Sequence, residues 1–119
     1  MVGFRQVNVW VKSHQLTLAT YRMAKSFPSD ERYGLVSQLR RSAASIAANI
    51  AEGCGRSGRR DFARFLQVAL GSASEYEYHL LLAFDLGFLP GATYRRMDIS
   101  VTEVKRMLTG FIKKLKSDV

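Results

Sequence analysis

From Arg59 to Phe84 the chain reads RRDFARFLQVALGSASEYEYHLLLAF, and Phe62, Leu66, Ala69, Ala73, Tyr76, Leu80 and Phe84 recur through it at steps of three and four. That spacing returns each side chain to the same face of a 3.6-residue helix, and it holds for about six turns at that period. Gly87 and Pro90 stop it, the first able to close a helix in a left-handed conformation and the second unable to continue one. A helix with one long apolar face needs other elements to cover that face.

The neighbouring segments supply the cover. Downstream, Tyr94, Met97, Val101, Val104, Leu108, Phe111 and Leu115 step by three and four, which predicts a second long helix. Upstream, Leu35, Leu39, Ala43, Ile46 and Ile50 form a third stripe, surrounded by Ala44, Ala47, Ala48 and Ala51, whose small side chains permit close helix approach. This helix is expected to run to about Glu52 and to close at Gly53. Phe27-Pro28-Ser29-Asp30 precedes it, Pro28 breaking the earlier helix and Ser29 or Asp30 available as a cap.

A first helix from Val9 to Ser26 shows two apolar lines, Val11, His14, Leu18 and Tyr21 on one side and Val9, Leu16 and Met23 on another. Nowhere does period-two alternation bounded by turn residues announce a strand. Long helices joined by short connections pack antiparallel. The fold class expected is therefore all-α, an antiparallel up-and-down four-helix bundle built as one domain over residues 1–119, with Met1 to Gln6 and Ser117 to Val119 loose.

The chain has 119 residues, 47% hydrophobic and 24% charged, enough to enclose a core without disulfides or metals. Its one cysteine, Cys54, can make no internal disulfide, no Cys/His cluster has zinc spacing, and neither a signal-like stretch nor about eighteen consecutive apolar residues occurs. A cytoplasmic protein with no metal, cofactor or membrane contact is expected.

Lys and Arg number 18 against 10 acids, a formal charge of +8. In an antiparallel bundle the start of the first helix, the end of the second, the start of the third and the end of the fourth meet at one pole. Arg5, Lys12, Arg56, Arg59, Arg60, Arg64, Lys113, Lys114 and Lys116 fall there, against Glu52, Asp61 and Asp118. Such a pole attracts polyanions. Arg56, Arg59, Arg60, Arg64, Lys113, Lys114 and Lys116 are the candidate contacts for RNA or DNA, with a solvated face or an acidic protein surface as the alternative. Gly53-Cys54-Gly55-Arg56-Ser57-Gly58 matches G-x-G-x-x-G, but a helix leads into it where a dinucleotide site needs a strand. Its remaining interest is that it opens a helix N-terminus, where backbone N–H groups suit a phosphate.

Gln38, Arg41, Ser45, Asn49 and Glu52 make one polar line along the second helix, and Glu75 on the third is placed to meet Arg41. A hydrogen-bonded network inside the bundle or between subunits explains this set better than a ligand site. Catalysis lacks a constellation: the first helix has no acid, Glu75 to His79 is one residue too long for a di-iron Glu-x-x-His pair, and neither His14 nor His79 has an evident partner. Both histidines are expected to be core residues. Cys54 beside Arg56 has some thiolate character to gain, and Phe62, Phe65, Tyr76 and Tyr78 are read as core before base-stacking platforms. The chain is not expected to be an enzyme.

Gln38-Leu39-Arg40-Arg41-Ser42-Ala43, Ser45-Ile46-Ala47-Ala48-Asn49-Ile50-Ala51-Glu52-Gly53 and Gly55-Arg56, together with Phe27-Pro28, Glu31-Arg32-Tyr33-Gly34-Leu35, Phe65-Leu66, Ala69-Leu70-Gly71-Ser72 and Glu75, resemble the bacterial four-helix-bundle family that includes proteins encoded by intervening sequences of large-subunit ribosomal RNA genes. The resemblance spans nearly the whole chain. It implies a homopentameric ring, and a related branch, the accessory variability determinants of diversity-generating retroelements, binds nucleic acid and a reverse transcriptase. A ring would multiply the basic pole around its axis. The expected function is therefore that of a non-enzymatic oligomer binding structured RNA or DNA, or alternatively of a scaffold that recruits a nucleic-acid enzyme without binding nucleic acid itself.

Overall fold

A computed structural model describes residues 3–117. Four helices, α1 (Asn8–Ala24), α2 (Leu35–Cys54), α3 (Arg59–Asp85) and α4 (Gly91–Ser117), are accompanied by two 3-10 turns, Phe4–Gln6 and Ser29–Glu31. Phe4–Gln6 and Ser117 are thus ordered into turn and helix where loose ends were expected, while Met1, Val2, Asp118 and Val119 lie outside the described residues.

Pairings across the seams fix the topology. Thr17 Oγ1 donates to Ala43 O at 3.2 Å and the Arg40 guanidinium lies 4.8 Å above the Tyr21 ring, so rising numbers in α1 meet falling numbers in α2. Ser45 meets Ser72 and Arg41 meets Glu75 between α2 and α3. Phe62 meets Phe111 and Phe84 meets Tyr94 between α3 and α4. With α1 also packed on α4, the four helices close into an antiparallel up-and-down bundle 47 Å long and about 20 Å across.

The stripes of α2, α3 and α4 are the core: Leu39, Ala43, Ile46, Ile50, Leu66, Ala69, Ala73, Tyr76, Leu80, Val101, Val104 and Leu108 are all fully buried. α1 matches expectation in part, with Val9 and Leu16 buried and the line through His14, Leu18 and Tyr21 turned outward. Its buried line is Val9, Ser13, Leu16, Thr20 and Ala24, whereas Leu18 and Tyr21 are 45% and 44% exposed and His14 is exposed. The two hydroxyls enter the core because each is satisfied there, Ser13 Oγ donating to Val9 O and Thr20 Oγ1 to Leu16 O, both at 2.7 Å. Thr20 Oγ1 also lies 2.7 Å from Tyr76 Oη, and burial pushes the Tyr76 hydroxyl up to about 12 despite that hydrogen bond.

Helix ends also differ from the sequence reading. Gly53 does not close α2; it lies buried inside it, where a Cβ would stand 2.8 Å from Phe62 Cδ1 and 3.0 Å from Phe65 Cβ. The residue is glycine because α3 crosses there. Ser29 and Asp30 do not cap α2 either: Gly34 precedes the helix, and Glu31 Oε1 accepts from Leu35 N–H at 3.2 Å. α3 ends as expected at Gly87, whose φ of 80° allows Gly87 N–H to reach Phe84 O and Phe88 N–H to reach Ala83 O. Among the described residues, no helix is long and apolar enough to cross a membrane.

Candidate nucleic-acid interface

The short turn between α2 and α3 positions the site. Gly58, at φ 101°, turns the chain so that α3 starts without a side-chain cap, and Phe62 N–H is the first amide to find its helical acceptor, Gly58 O. The amides ahead of it face outward with the positive end of the α3 dipole. Arg59 reaches across to α4, its Nε donating to Leu115 O at 3.3 Å, and thereby locks the start of α3 to the last turn of α4.

The cations near this end form two groups. Arg56 pairs with Glu52 at 3.0 Å and approaches Asp61 at 3.9 Å, while Arg64 holds Asp61 at 2.9 Å. Both guanidiniums stack on Phe65, at 4.8 and 4.6 Å from its centroid. This cluster sets two arginines against two carboxylates and adds no net charge. Arg60, Lys113, Lys114 and Lys116 have no ion pair among the described residues, and they carry the excess.

Arg59, Arg60, Arg64 and Lys116 line an open groove of about 780 Å³ with Ser57, Gly58 and Asp61. A smaller hollow under Arg59 and Arg60 extends it toward Ala63 and Leu115. Lys113 and Lys114 are exposed on the last turns of α4 but outside the lining. Lys12 does not belong to the pole, since it is held at 3.0 Å by Glu103 partway along α4, and Arg5 lies over the Phe4 ring. The pole is therefore smaller than the sequence reading made it, and more sharply built.

A second feature beside the groove was not legible as a site. Phe62 and Phe111, which periodicity places on the core stripes, are half-buried, as is Met107, and the three line a largely apolar cavity of about 610 Å³ with Val7, Val9 and Cys54. Phe62 and Phe111 meet edge to face at 5.2 Å. Burial pushes the Cys54 thiol up, which reverses the thiolate character expected from its nearness to Arg56.

The polar line on α2 forms contacts along the α2/α3 seam. Arg41 bridges Gln38 Oε1 and Glu75 Oε2, Ser45 Oγ and Ser72 Oγ are 2.9 Å apart, and Asn49 Nδ2 donates back to Ser45 O at 2.8 Å. Glu52 is engaged by Arg56 instead. Of the histidines, His14 stacks on Trp10 at the surface and is not a core residue, and His79 is half-buried against Tyr78. Tyr76 is core; Tyr78 is 59% exposed. Among the described residues, no three His, Cys, Asp or Glu side chains come together.

Exposed apolar side chains lie elsewhere, with Leu18 and Tyr21 on α1, Val68, Tyr78 and Leu81 on α3 and Ile99 on α4. Gly71, also exposed on α3, has open space where a Cβ would stand.

Comparison with solved structures finds a protein of unknown function from the S23 ribosomal protein family of Bacteroides thetaiotaomicron, 29% identical, with a TM-score of 0.82 over 88% of this chain and 95% of that one. Among curated proteins no sequence matches. The sequence pattern of the 23S rRNA-intervening sequence proteins, by contrast, matches residues 5–110, nearly the whole described bundle. On that match, and on a fold shared with the S23 protein, the chain belongs to the 23S rRNA-intervening sequence protein family.

Proposed function

We propose that this protein is a non-enzymatic, cytoplasmic nucleic-acid-binding protein that holds structured RNA, or DNA of similar charge, by its phosphates in the groove at the start of α3. The observation that carries the reading is the placement of Arg60 and Lys116, without ion pairs among the described residues, beside Arg59 in one open groove at an uncapped helix N-terminus. Backbone amides and cations then converge on one open groove. Arg56 and Arg64 are fixed by Asp61 and Phe65 and steer the strand. Lys113 and Lys114 extend the field along α4. The name of the family favours RNA as the partner.

A homo-oligomer, in the form of a pentameric ring, accords with the apolar residues left exposed on α1 and α3. The same residues favour the second reading, a scaffold for a protein partner such as a nucleic-acid enzyme. Salt titration separates the two. Binding of a structured ribosomal RNA fragment through about five phosphates should weaken with a log–log slope near −4 as salt rises; a flat response leaves the scaffold as the function.

A further inference from the structure

The cavity beside the groove has a chemistry of its own. Its floor is Val7, Phe62, Met107 and Phe111, while Arg56 and Arg59 stand among its lining at the cationic end of the bundle. An occupant matched to that arrangement joins a flat apolar body to an anionic group. A nucleotide within a strand has that construction, with a ring that stacks on aromatics and a phosphate that meets guanidinium.

The position decides for a strand. Cavity and groove share Gly58 and Arg59, so a backbone held by Arg60 and Lys116 runs beside the cavity. Nothing lies within 4 Å of where a Cβ of Gly58 would stand, which leaves that passage open. Asn8, exposed on the wall, offers an amide donor and acceptor to a base edge. A base inside a continuous duplex cannot enter without being unstacked, and the cost of extrusion is least for a base already unpaired.

We propose that this cavity receives one unstacked nucleobase of the bound strand, so that the protein selects bulges, loops or single-stranded ends over uninterrupted duplex. The inference rests on the phosphate-binding reading of the groove. It is tested with two RNA stems of the same sequence, one fully paired and one carrying a single bulged 2-aminopurine, titrated with the intact protein while anisotropy and 2-aminopurine fluorescence are followed.

The bulged stem should bind about tenfold more tightly, the scale of one base stacked on aromatic side chains, with a change in 2-aminopurine emission on binding. Phe111→Ala, which empties the wall, and Met107→Trp, which fills the cavity, should each abolish the preference yet keep the affinity and salt slope of the paired stem. Unchanged circular dichroism shows that either variant is folded. Equal affinity for the two stems, or a preference that survives both variants, overturns base insertion and leaves the phosphate groove standing. Absence of salt-sensitive binding to either stem removes the groove reading and the inference with it. The same pair in DNA should show the preference too, since the rings contact the base; a preference found in RNA alone points to ribose recognition and overturns the proposal.

Discussion

The same substitution, glycine to alanine in the middle of a helix, should change stability in opposite directions at two positions. In an open helix the exchange gains about 1 kcal/mol from backbone entropy. At Gly71 nothing lies within 4 Å of the new methyl, so Gly71→Ala should show that gain, raising Tm by about 3–6 °C for a domain of this size. At Gly53 the methyl would stand 2.8 Å from Phe62 Cδ1, 3.2 Å from Phe62 Cε1 and 3.0 Å from Phe65 Cβ. The last contact is to the root of a side chain, so α3 itself must move away from α2. Overpacking of this kind costs about 1–3 kcal/mol, and because Phe65 Cβ cannot rotate away the upper part of that range applies and exceeds the propensity gain. Gly53→Ala should lower Tm by up to several degrees (up to about 2 kcal/mol net), and the displacement of Phe62 should loosen the site. Thermal unfolding followed by circular dichroism at fixed protein concentration measures both. A Gly53→Ala protein as stable as the parent would refute the close crossing of α2 and α3; a destabilised Gly71→Ala would show that the open face of α3 is covered by another copy.

Thr20→Val should cost about 1–3 kcal/mol, because it strands the buried Tyr76 hydroxyl without its acceptor, and Tyr76→Phe should cost less, since Thr20 keeps Leu16 O; urea midpoints compare them. The raised ionisation of Tyr76 has a pH consequence: between about 10, where unfolded tyrosine ionises, and about 12, the folded hydroxyl keeps a proton that the unfolded one loses. Stability should therefore fall as pH climbs through that window, and urea midpoints measured across it should fall less in Tyr76→Phe. The Arg41–Glu75 pair is 55% and 39% exposed, so Arg41→Ala should change stability by about 1 kcal/mol or less. A loss of several kcal/mol would show that this pair is buried in an assembly.

Much of the architecture was legible because α2, α3 and α4 carry unbroken stripes of large apolar and alanine residues. α1 was legible only in part, its buried line through Val9 and Leu16 being continued by residues that a pattern of apolar positions omits. Its core face includes Ser13 and Thr20, which count as polar in a pattern but bond their own helix carbonyls, while the more apolar line with Leu18 and Tyr21 faces outward. Gly53 carries the sequence signal of a helix end, and its true cause, Phe62 crossing at van der Waals distance, is a tertiary fact. At the site, the cations of the turn and of α3 were visible in the sequence. Register was not: Lys12 is taken by Glu103, Arg56 and Arg64 are balanced by Glu52 and Asp61, and Phe111 was counted with the core although it lines a cavity.

The claim that phosphates bind through Arg60 and Lys116 is most directly tested by the salt dependence of RNA affinity in the Arg60→Gln/Lys116→Gln double variant. Neither side chain has an ion pair among the described residues and both are exposed, so the bundle should fold unchanged. Each lost phosphate contact should reduce the steepness of the log–log slope by about 0.7–0.9, and the pair together by about 1.4–1.8. A slope equal to that of the unmodified protein would contradict the placement of the phosphates in this groove.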